Sequence, residues 1–522
     1  MGKVTFRPWV KVVGVILIVA AIMYGAKTLF GNNESSDNKS LFSSVFSGSN
    51  SKDVITIGTN TYAGFLPFMY LNNGLEPNED CPIYKEYGLK LKIVVQDDFS
   101  AGRSAFKNND IDIIYCTADA FPVEMSEGSD MADARFFNIS NWSRGADAIV
   151  VNKSINTVSD LIGKIVTCSQ GTASHTLLLN TLETNGIGSD KVNTSSTIMS
   201  DKVNIKVVDS GLDAASVFRA GQCDAAVVYS PDDQDLCETI KGTHVLISTK
   251  QASNIICDGL IAKESYLTNN KEKVQKLISA LLYANDLMNS DEDAVKVAAK
   301  AFAKSYGTDE QFAIEGSKNI RYATLGDEQN FFGMNNSYTG VKGDELYSKM
   351  ARTYEQLNLC KKPLAWRKVS YPDIIEALSD NSETLKGNQV EEQAKTFNKT
   401  ENNETVVTIS DKKVTIEFPT NSDILDNNAQ TIIDREFASI AKEFSGSKIQ
   451  IIGNTDNTGN YDYNINLSKR RAQAVANYLI KEYNFDPNRF IIVGNGPKRA
   501  IADNIIGDNK NYRTTDFQLV SE

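Results

Sequence analysis

Short apolar runs alternate with amphipathic stretches between residues 54 and 379. The runs read VITIGTN, KLKIVVQ, DIDIIYC, GADAIVVN, KIVTCSQ, IKVVDS and CDAAVVYS. Strand-length apolar runs separated by helical periods are typical of βαβ units, so this pattern predicts an α/β fold with mainly parallel sheets. Two similar segments, AGRSAFKNNDIDIIY and AASVFRAGQCDAAVVY, indicate two lobes of similar construction.

Near the C-terminus, a helical pattern carries an arginine on its apolar face. Four apolar residues share that face: Leu467, Ala474, Val475 and Tyr478. Arg471 lies in the same stripe, where a charge is costly unless it is paired. Asp456, in the loop after the apolar run KIQIIG, is the nearest candidate partner. The two residues either form a structural ion pair or make a two-pronged site for the ammonium and carboxylate of a zwitterion.

The first thirty residues contain a long apolar run. Residues 12–26 are bracketed by Lys11 and Lys27, and flanking aromatic residues extend the segment to about 20 residues, enough to span a membrane. Basic residues precede the run, and polar and acidic residues follow it. The positive-inside rule therefore predicts one transmembrane helix in the cytoplasmic membrane, with the N-terminus inside and the bulk of the chain in the periplasm. A cleaved signal peptide is the competing interpretation.

The length and composition of the chain predict several domains and argue against nucleic-acid binding and against a metal site. The length of 522 residues predicts two or three domains. With 54 basic and 66 acidic residues and no basic tract, the chain is a poor partner for nucleic acid. The two histidines, His175 and His244, have no cysteine neighbours at metal-ligand spacing, so we expect no metal site, no cofactor and no catalytic residue.

The seven cysteines lie between residues 81 and 360. Export would permit disulfides, but the odd number leaves at least one thiol without an internal partner. Cys116 and Cys168 lie in apolar strand-like runs, and we expect both in the core.

Two polar stretches mark the predicted domain boundaries. Residues 31–53 are rich in Ser, Asn and Gly and predict a flexible linker, and residues 380–404 predict a second linker. The resulting organisation is a cytoplasmic tail and transmembrane anchor over 1–30, a large domain over 54–379 and a smaller domain over 405–522.

Four motifs of the middle block occur in a distinctive order. They are VITIGTNTYAGFLPFMYLNNG, DIDIIYCTADAF, SRGADAIVVNKS and LIGKIVTCSQGTASH. Over about residues 54–375 this order resembles the periplasmic solute-binding proteins of the sulfonate, nitrate and pyrimidine-precursor type. The resemblance implies a two-lobed, type II-like periplasmic-binding-protein fold that closes on a small, often anionic solute. It also implies an ABC permease or another membrane complex as a partner.

Ligands of such folds sit at the carboxyl ends of strands, and helix N-termini hold anions. This placement nominates ten residues for the solute site: Thr59, Asn60, Tyr62, Arg144, Ser169, Gly171, Thr172, Ser174, Tyr229 and Ser230. Each has a structural alternative. Ser and Thr at a helix start are commonly N-caps, Arg144 can be a solvated surface charge, and Tyr229 can be a half-buried strand end. We interpret His175 as packing at a helix N-terminus rather than as a catalytic base.

The last block, about 405–522, contains the signature T-D-N-T-G followed by N-x-x-L-S-x-x-R-A, and then FIIVGNGPKRAIADN. It resembles the OmpA-like peptidoglycan-associated domain, which implies an α+β fold. In that family, the aspartate and arginine of the signature hold the diaminopimelate residue of the peptidoglycan stem peptide. Carried onto this sequence, Asp456 takes the ammonium and Arg471 the carboxylate, and Asn464 and Thr455 belong to the same site.

Two positions depart from that family's pattern. Asn454 stands where the family usually has histidine, and only Arg513 remains of a pair of arginines near the end. Neither departure removes the two-pronged contact, although either one changes the surroundings in which a peptide would bind.

These features together predict a binding and tethering protein rather than an enzyme. A membrane anchor would hold a solute-binding domain in the periplasm as a transport component or sensor, while the C-terminal domain grips the cell wall. The alternative is a structural tether between cytoplasmic membrane and wall, in which the solute-binding lobes are a non-binding scaffold.

Overall fold

The computed structural model describes residues 53–400, 408–414, 416–419 and 422–520. The predicted transmembrane anchor and all but the last residue of the first linker lie outside the described residues. Within the described part of the chain, no helix combines the length and apolarity needed to cross a membrane. The chain from Asp53 onward forms one unit.

The described residues form sixteen strands in three sheets. The strands are β1 (Val54–Thr59), β2 (Lys90–Val95), β3 (Ile113–Thr117), β4 (Ala134–Ser143), β5 (Asp147–Val151), β6 (Ile165–Ser169), β7 (Val192–Asn193), β8 (Val203–Val208), β9 (Ala225–Tyr229), β10 (His244–Ser248), β11 (Cys257–Lys263), β12 (Ile320–Tyr322), β13 (Thr408–Val414), β14 (Lys448–Asn454), β15 (Phe490–Gly496) and β16 (Thr515–Val520).

The α-helices of the described residues pack on these sheets. They are α1 (Leu66–Asn72), α2 (Pro82–Tyr87), α3 (Phe99–Lys107), α4 (Ala173–Thr184), α5 (Gly211–Arg219), α6 (Asp232–Thr239), α7 (Glu264–Asn269), α8 (Lys271–Ser290), α9 (Glu292–Tyr306), α10 (Glu310–Ser317), α11 (Leu325–Phe331), α12 (Gly343–Gln356), α13 (Trp366–Val369), α14 (Asp373–Ser379), α15 (Asn427–Ile433), α16 (Ser439–Glu443), α17 (Tyr461–Tyr483) and α18 (Lys498–Ala502). A π-helical turn, Asp434–Ala438, joins α15 to α16.

Two six-stranded sheets form the two predicted lobes. The first has the order β12-β4-β11-β3-β1-β2, and the second has the order β10-β5-β9-β6-β8-β7. In each sheet the βαβ strands run parallel, as β1 does with β2 and β3, and as β6 does with β8 and β9. β7 also pairs with β8 in parallel, and the other five pairs are antiparallel, so the sheets are mixed rather than mainly parallel.

The antiparallel strands are those that carry the chain between the lobes. The chain crosses once from β4 to β5 and returns from β10 to β11. The lobes touch beyond these crossings: a Cβ built on Gly171 of the second lobe would lie 3.4 Å from Cγ1 of Val123 in the first. The Nδ2 of Asn319 also donates to Oγ of Ser230 at 3.1 Å. The carboxyl ends of the parallel strands therefore lie in a closed cleft.

The cysteines are all free thiols in this structure. Cys116 on β3 and Cys168 on β6 are buried, which confirms the prediction that both belong to the core. Burial alone raises the pKa of the Cys168 thiol to about 12, as expected of an inert core cysteine.

The C-terminal sheet has the order β13-β16-β14-β15, with α17 packed against β14 and β15. The buried face of α17 includes Leu467, Arg471 and Val475, as predicted, whereas Ala474 and Tyr478 are only half-buried. Their places are taken by Ala472, Ala476 and Leu479, so the apolar face is turned slightly from the predicted one. The helix lies so close to the sheet that a Cβ on Gly453 would collide with the carbonyl oxygen of Ser468, so only glycine fits at this position.

The C-terminal domain is docked on the second lobe. One hydrophobic core runs from Leu178 on α4 through Tyr354 on α12 to Phe444 and Leu479 of the C-terminal domain. Residues 380–400, in the second predicted linker, also contact both neighbours: Gly326 donates its N–H to the carbonyl of Gln389, and the N–H of Phe397 donates to Asp486 Oδ2 at 2.8 Å. This part of the boundary segment is therefore held by packing on both sides.

Candidate ligand-binding sites

Asp456 lies in the loop that follows β14 and is buried. Its Oδ1 accepts the N–H of Thr458 at 3.2 Å, and its Oδ2 accepts Nη1 of Arg513 at 2.9 Å. The same Nη1 also contacts the carboxylate of Asp508. Arg513, which the sequence marked only as the remnant of a family pair, is therefore the ion-pair partner of Asp456.

Arg471 projects from the middle of α17 and is also buried. Its Nε donates to the carbonyl of Ser422 at 3.0 Å, and its Nη2 to the carbonyl of Pro419 at 3.4 Å. The guanidinium lies 4.9 Å from the ring centre of Phe418. Among the described residues, no carboxylate lies within ion-pair distance of Arg471. The structural ion pair with Asp456 is thus not formed in this structure.

The charges around Arg471 act in opposite directions. Burial lowers the pKa of its guanidinium, the positive charge of Arg513 lowers it further, and the carboxylate of Asp456 raises it. Asp456, Arg471 and Arg513 therefore lie near one another, and Asp508 and Asp423 add carboxylates beside the two guanidinium groups. Arg471 has no carboxylate at ion-pair distance among the described residues, so its guanidinium can receive an incoming carboxylate.

The other predicted residues of this site shape the loop. Asn464 donates from Nδ2 to the carbonyl of Thr458 at 2.8 Å. Thr455 donates from Oγ1 to the carbonyl of Asp456 at 2.9 Å, and its N–H donates to the carbonyl of Gly496 at 2.8 Å. Asn454 is buried below the loop and donates to Asp516 Oδ2 at 3.1 Å. These contacts hold the backbone that presents the Asp456 carboxylate.

In the first lobe, the predicted solute residues follow β1. The Oγ1 of Thr59 shares a hydrogen bond of 2.7 Å with the Tyr306 hydroxyl. The Oδ1 of Asn60 is buried and has no hydrogen-bond partner in the described structure. The hydroxyl of Tyr62 donates to Oδ1 of Asn141 on β4 at 3.3 Å.

In the second lobe, the predicted residues gather at the N-terminus of α4. Thr172 occupies the N-cap position, but its Oγ1 donates to the carbonyl of Ser169 at 2.9 Å instead of capping the helix. Thr172 is thus the N-cap residue by position, as the structural alternative expected, but its hydroxyl bonds the preceding turn and not the helix. Ser174 is fully buried. Gly171, at φ +72°, donates its N–H to Nδ1 of His175 at 3.3 Å.

His175 packs at the start of α4, as interpreted from the sequence. Its ring lies 5.7 Å from that of Tyr354, and burial lowers the pKa of the imidazole to about 4. His175 is therefore neutral near pH 7. Since Nδ1 accepts a hydrogen bond, the proton resides on Nε2, which has no partner among the described residues.

Arg144 contacts residues outside the predicted solute site. It forms an ion pair of 2.5 Å with Glu392 and donates to the carbonyl of Ser253, so it joins the first crossing to residues 380–400. It is not the solvated surface charge that the sequence alternative suggested, and its guanidinium is not free to meet a solute. Tyr229 ends β9 directly opposite Asp147, and Ser230 accepts the amide of Asn319.

Sequence reasoning missed three buried aspartates of this cleft. Asp119 follows β3, Asp147 opens β5, and Asp258 lies in β11. Burial raises the pKa of Asp147 to about 7 and that of Asp119 to about 6, and it raises the pKa of Asp258 well above its ordinary range. A signal was present, since GADAIVV and ICDGLIA each place an aspartate against an apolar strand.

Two family models match the chain. The model described as NMT1/THI5 like matches residues 83–294, and the model of the OmpA family matches residues 417–514. The first match lies in the two-lobed block, and the second covers β14, α17 and β15 with the loop that carries Asp456.

Known proteins resemble the C-terminal block. Outer membrane porin F of Pseudomonas aeruginosa is 34% identical over 76 residues, and Probable lipoprotein YiaD of Escherichia coli strain K12 is 38% identical over 73 residues. These matches cover 15% and 14% of this chain and 22% and 33% of the respective relatives. The chain thus spans a third or less of the length of these two relatives.

One similar solved structure is the periplasmic aliphatic sulphonate binding protein SsuA from Escherichia coli. It aligns with 62% of this chain and 99% of its own chain, at 18% sequence identity and a TM-score of 0.46. By the family models, the chain combines an NMT1/THI5-like segment with a C-terminal OmpA segment.

Proposed function

We propose that this protein works in the bacterial envelope, where it binds a small solute between its two lobes and grips peptidoglycan through its C-terminal domain. The main support for peptidoglycan binding is the environment of the Arg471 guanidinium. A buried guanidinium that meets two carbonyls and no carboxylate in the described structure is prepared for an anionic group.

A zwitterion fits the two charged positions of the C-terminal site. A ligand carboxylate would join the Arg471 guanidinium, and a ligand ammonium would join Asp456, sharing it with Arg513 or displacing Arg513. Diaminopimelate in a peptidoglycan stem peptide carries both groups on one carbon. Asn464 and Thr455 contribute by fixing the loop, because their side chains already bond its backbone.

The solute site lies in the closed cleft between the lobes. Buried polar atoms without partners, Asn60 Oδ1, Asn141 Nδ2 and His175 Nε2, support a ligand there, since such atoms are costly when they are left unmatched. A membrane anchor over residues 12–26 would hold this site near a permease or another membrane complex. The protein would then serve as a transport component or sensor that is also attached to the wall.

The wall contact is tested by the substitution Asp456→Ala in the full chain. We expect it to reduce sedimentation with purified peptidoglycan at least tenfold while circular dichroism stays unchanged. Asp462→Ala is the matched control, because Asp462 is an exposed carboxylate on the first turn of the adjacent helix. Equal sedimentation of Asp456→Ala and the control would reject the assignment.

A structural tether with a non-binding scaffold is the second candidate. The docking of the C-terminal domain on the second lobe favours it, because the two domains share one hydrophobic core. Native mass spectrometry of the full chain purified from its own host separates the two candidates. A retained small molecule supports the receptor, and an empty protein that also ignores a broad panel of solutes supports the tether.

A further inference from the structure

The cleft between the lobes contains three buried carboxylates. Asp119 is 0% exposed, Asp147 is 4% exposed and Asp258 is 9% exposed. They come from different elements, since Asp119 follows β3, Asp147 opens β5 at the first crossing, and Asp258 lies in β11 just after the second crossing. Both crossings between the lobes therefore place an aspartate in the cleft.

The hydrogen bonds of these carboxylates do not neutralise them. Asp147 Oδ2 accepts the hydroxyl of Ser143 at 2.7 Å, and Asp119 Oδ1 accepts the N–H of Cys257 at 3.2 Å. Within the described ranges, neither these two nor Asp258 forms an ion pair with a lysine, arginine or histidine. A buried carboxylate without a counter-charge is strongly unfavourable, so these groups hold protons, as the raised pKa values of Asp147 and Asp258 indicate, and a cation in the cleft would restore their ionised form.

The carboxylates lie close enough to act on one another. After burial, the charges of Asp147 and Asp119 raise the pKa of Asp258 further, and Asp119 and Asp233 do the same to Asp147. The cation that the sequence nominated for this region, Arg144, is bound to Glu392 and the carbonyl of Ser253. The protein thus supplies ionisable carboxyl groups to the cleft and keeps its nearby guanidinium occupied.

A second observation marks the same place as a ligand site. Asn141 is 0% exposed and lies directly opposite Asp258 on the neighbouring strand, so the two side chains project from the same face of the sheet. Its Oδ1 accepts the Tyr62 hydroxyl, while its Nδ2 has no partner in the described structure. The amide is therefore held in place with a free donor beside the carboxylates.

Aromatic hydroxyls complete the surroundings. After burial, Asp258 and Asp147 both raise the pKa of Tyr62, and Asp147 also raises the pKa of Tyr229. Both rings therefore lie close to the carboxylates. Tyrosine faces attract organic cations, and tyrosine hydroxyls can accept an ammonium proton.

An organic cation suits these carboxyl groups better than a metal ion does. In the part of the chain that the structure describes, no three His, Cys, Asp or Glu side chains converge closely enough to hold a metal. An ammonium or amidinium group can instead contact carboxylates that are spread over several elements, with tyrosine rings between them.

We propose that the cleft binds a small organic cation, a primary amine or amidine, whose charge is balanced by Asp147 and Asp258 and whose hydrogen-bond acceptor meets Nδ2 of Asn141. This inference rests on the proposed solute binding and names the charge of the solute. It replaces the expectation of an anion, which rested on polar loops and a helix N-terminus.

The test measures thermal unfolding and calorimetric binding of the full chain with charge-matched probes. The cations are benzylamine, agmatine and choline, and the anions are benzenesulfonate, ethanesulfonate and nitrate. We expect at least one amine or amidine to raise the Tm by 3 °C or more at millimolar concentration, with no shift from the anions. Asp258→Asn should weaken that binding at least tenfold, and Asp147→Asn provides a second variant.

Asp201→Asn is the matched control, since Asp201 is an exposed carboxylate of the second lobe. Its affinity for the binding amine should equal that of the unchanged protein. Stabilisation by an anion and by no cation overturns the charge assignment but leaves solute binding intact. Failure of every probe to bind overturns the charge assignment and solute binding together. Equal amine affinity in Asp258→Asn, Asp147→Asn and Asp201→Asn also overturns the charge assignment.

Discussion

Lys349 on α12 and Glu443 on α16 form an ion pair of 2.8 Å between the two-lobed block and the C-terminal domain. Their side chains are 15% and 5% exposed. Glu443 also accepts Nδ2 of Asn180 at 3.1 Å, and its carbonyl accepts the N–H of Asn254 at 2.9 Å. A single glutamate at the end of one short helix thus contacts three separate parts of the larger block.

Removing Lys349 should weaken the docked state. In Lys349→Ala, the buried carboxylate of Glu443 loses its counter-charge, and we expect the free energy of unfolding to fall by about 3 kcal/mol. Chemical denaturation of the full chain measures this change. Lys318→Ala removes an exposed pair with Glu315 and should cost less than about 0.5 kcal/mol, so equal losses in the two variants would contradict the docking role.

Peptidoglycan binding should depend on the planar guanidinium of Arg471 and not only on its positive charge. Arg471→Lys keeps the charge but loses the planar fork, so we expect peptidoglycan sedimentation to fall at least tenfold. Arg470→Lys is the matched control: Arg470 is exposed on the same helix and lies 3.3 Å from Asp423. Its sedimentation should be unchanged. If a lysine at 471 supports full binding, the guanidinium does not receive the ligand carboxylate.

The pH dependence of the free energy of unfolding should report the protonation of Asp147, the buried aspartate at the first crossing. The pKa of Asp147 is raised from 3.8 to about 7, so the folded protein holds this proton more tightly than the unfolded chain does. The contribution of Asp147 to the free energy of unfolding therefore declines as the pH rises from about 4 to 7. Asp119 and Asp233 raise the pKa of Asp147 further, and Asp258 is coupled to it, whereas Tyr62 and Tyr229 stay protonated in this range because burial raises the pKa of both hydroxyls.

Asp147→Asn removes this decline. Without added solute, we expect the variant to gain up to about 4 kcal/mol over the unchanged protein between pH 4 and pH 8. Denaturant unfolding at both pH values measures the difference, with Asp201→Asn as the control. A constant difference between variant and unchanged protein across this range would show that Asp147 is ionised without penalty.

Features that depend on residues a few positions apart could be predicted from the sequence. The alternation of apolar runs indicated two α/β lobes, and the stripe around Leu467 indicated a helix with Arg471 facing inward and Arg470 outward. Both predictions are confirmed, because a helix or strand face is decided by residues a few positions apart. The α17 face is turned slightly where the helix backbone lies against the glycines of β14 and β15, since a Cβ on Gly453 or Gly494 would meet the carbonyl oxygen of Ser468 or Ile465.

The predictions that failed depended on partners distant in the chain. Asp456 pairs with Arg513, 57 positions away, and Arg144 pairs with Glu392, 248 positions away. Periodicity carries no information about such pairs. The buried aspartates were missed for a related reason: an aspartate beside a strand usually belongs to a turn, and only the meeting of the two crossings places Asp147 and Asp258 in one cleft.

The docking through Glu443 has a mechanical consequence. If the C-terminal domain holds the wall, a pull on that domain passes through the Lys349–Glu443 contact to α12 and through residues 380–400 to α11, because the described part of the boundary segment is bonded to both neighbours. Tension that favours separation of the lobes would then lower solute affinity, whereas a relaxed wall would leave the cleft closed. If the other end of the chain is held at a membrane, the same contact that stabilises the fold would make solute retention respond to the distance between membrane and wall.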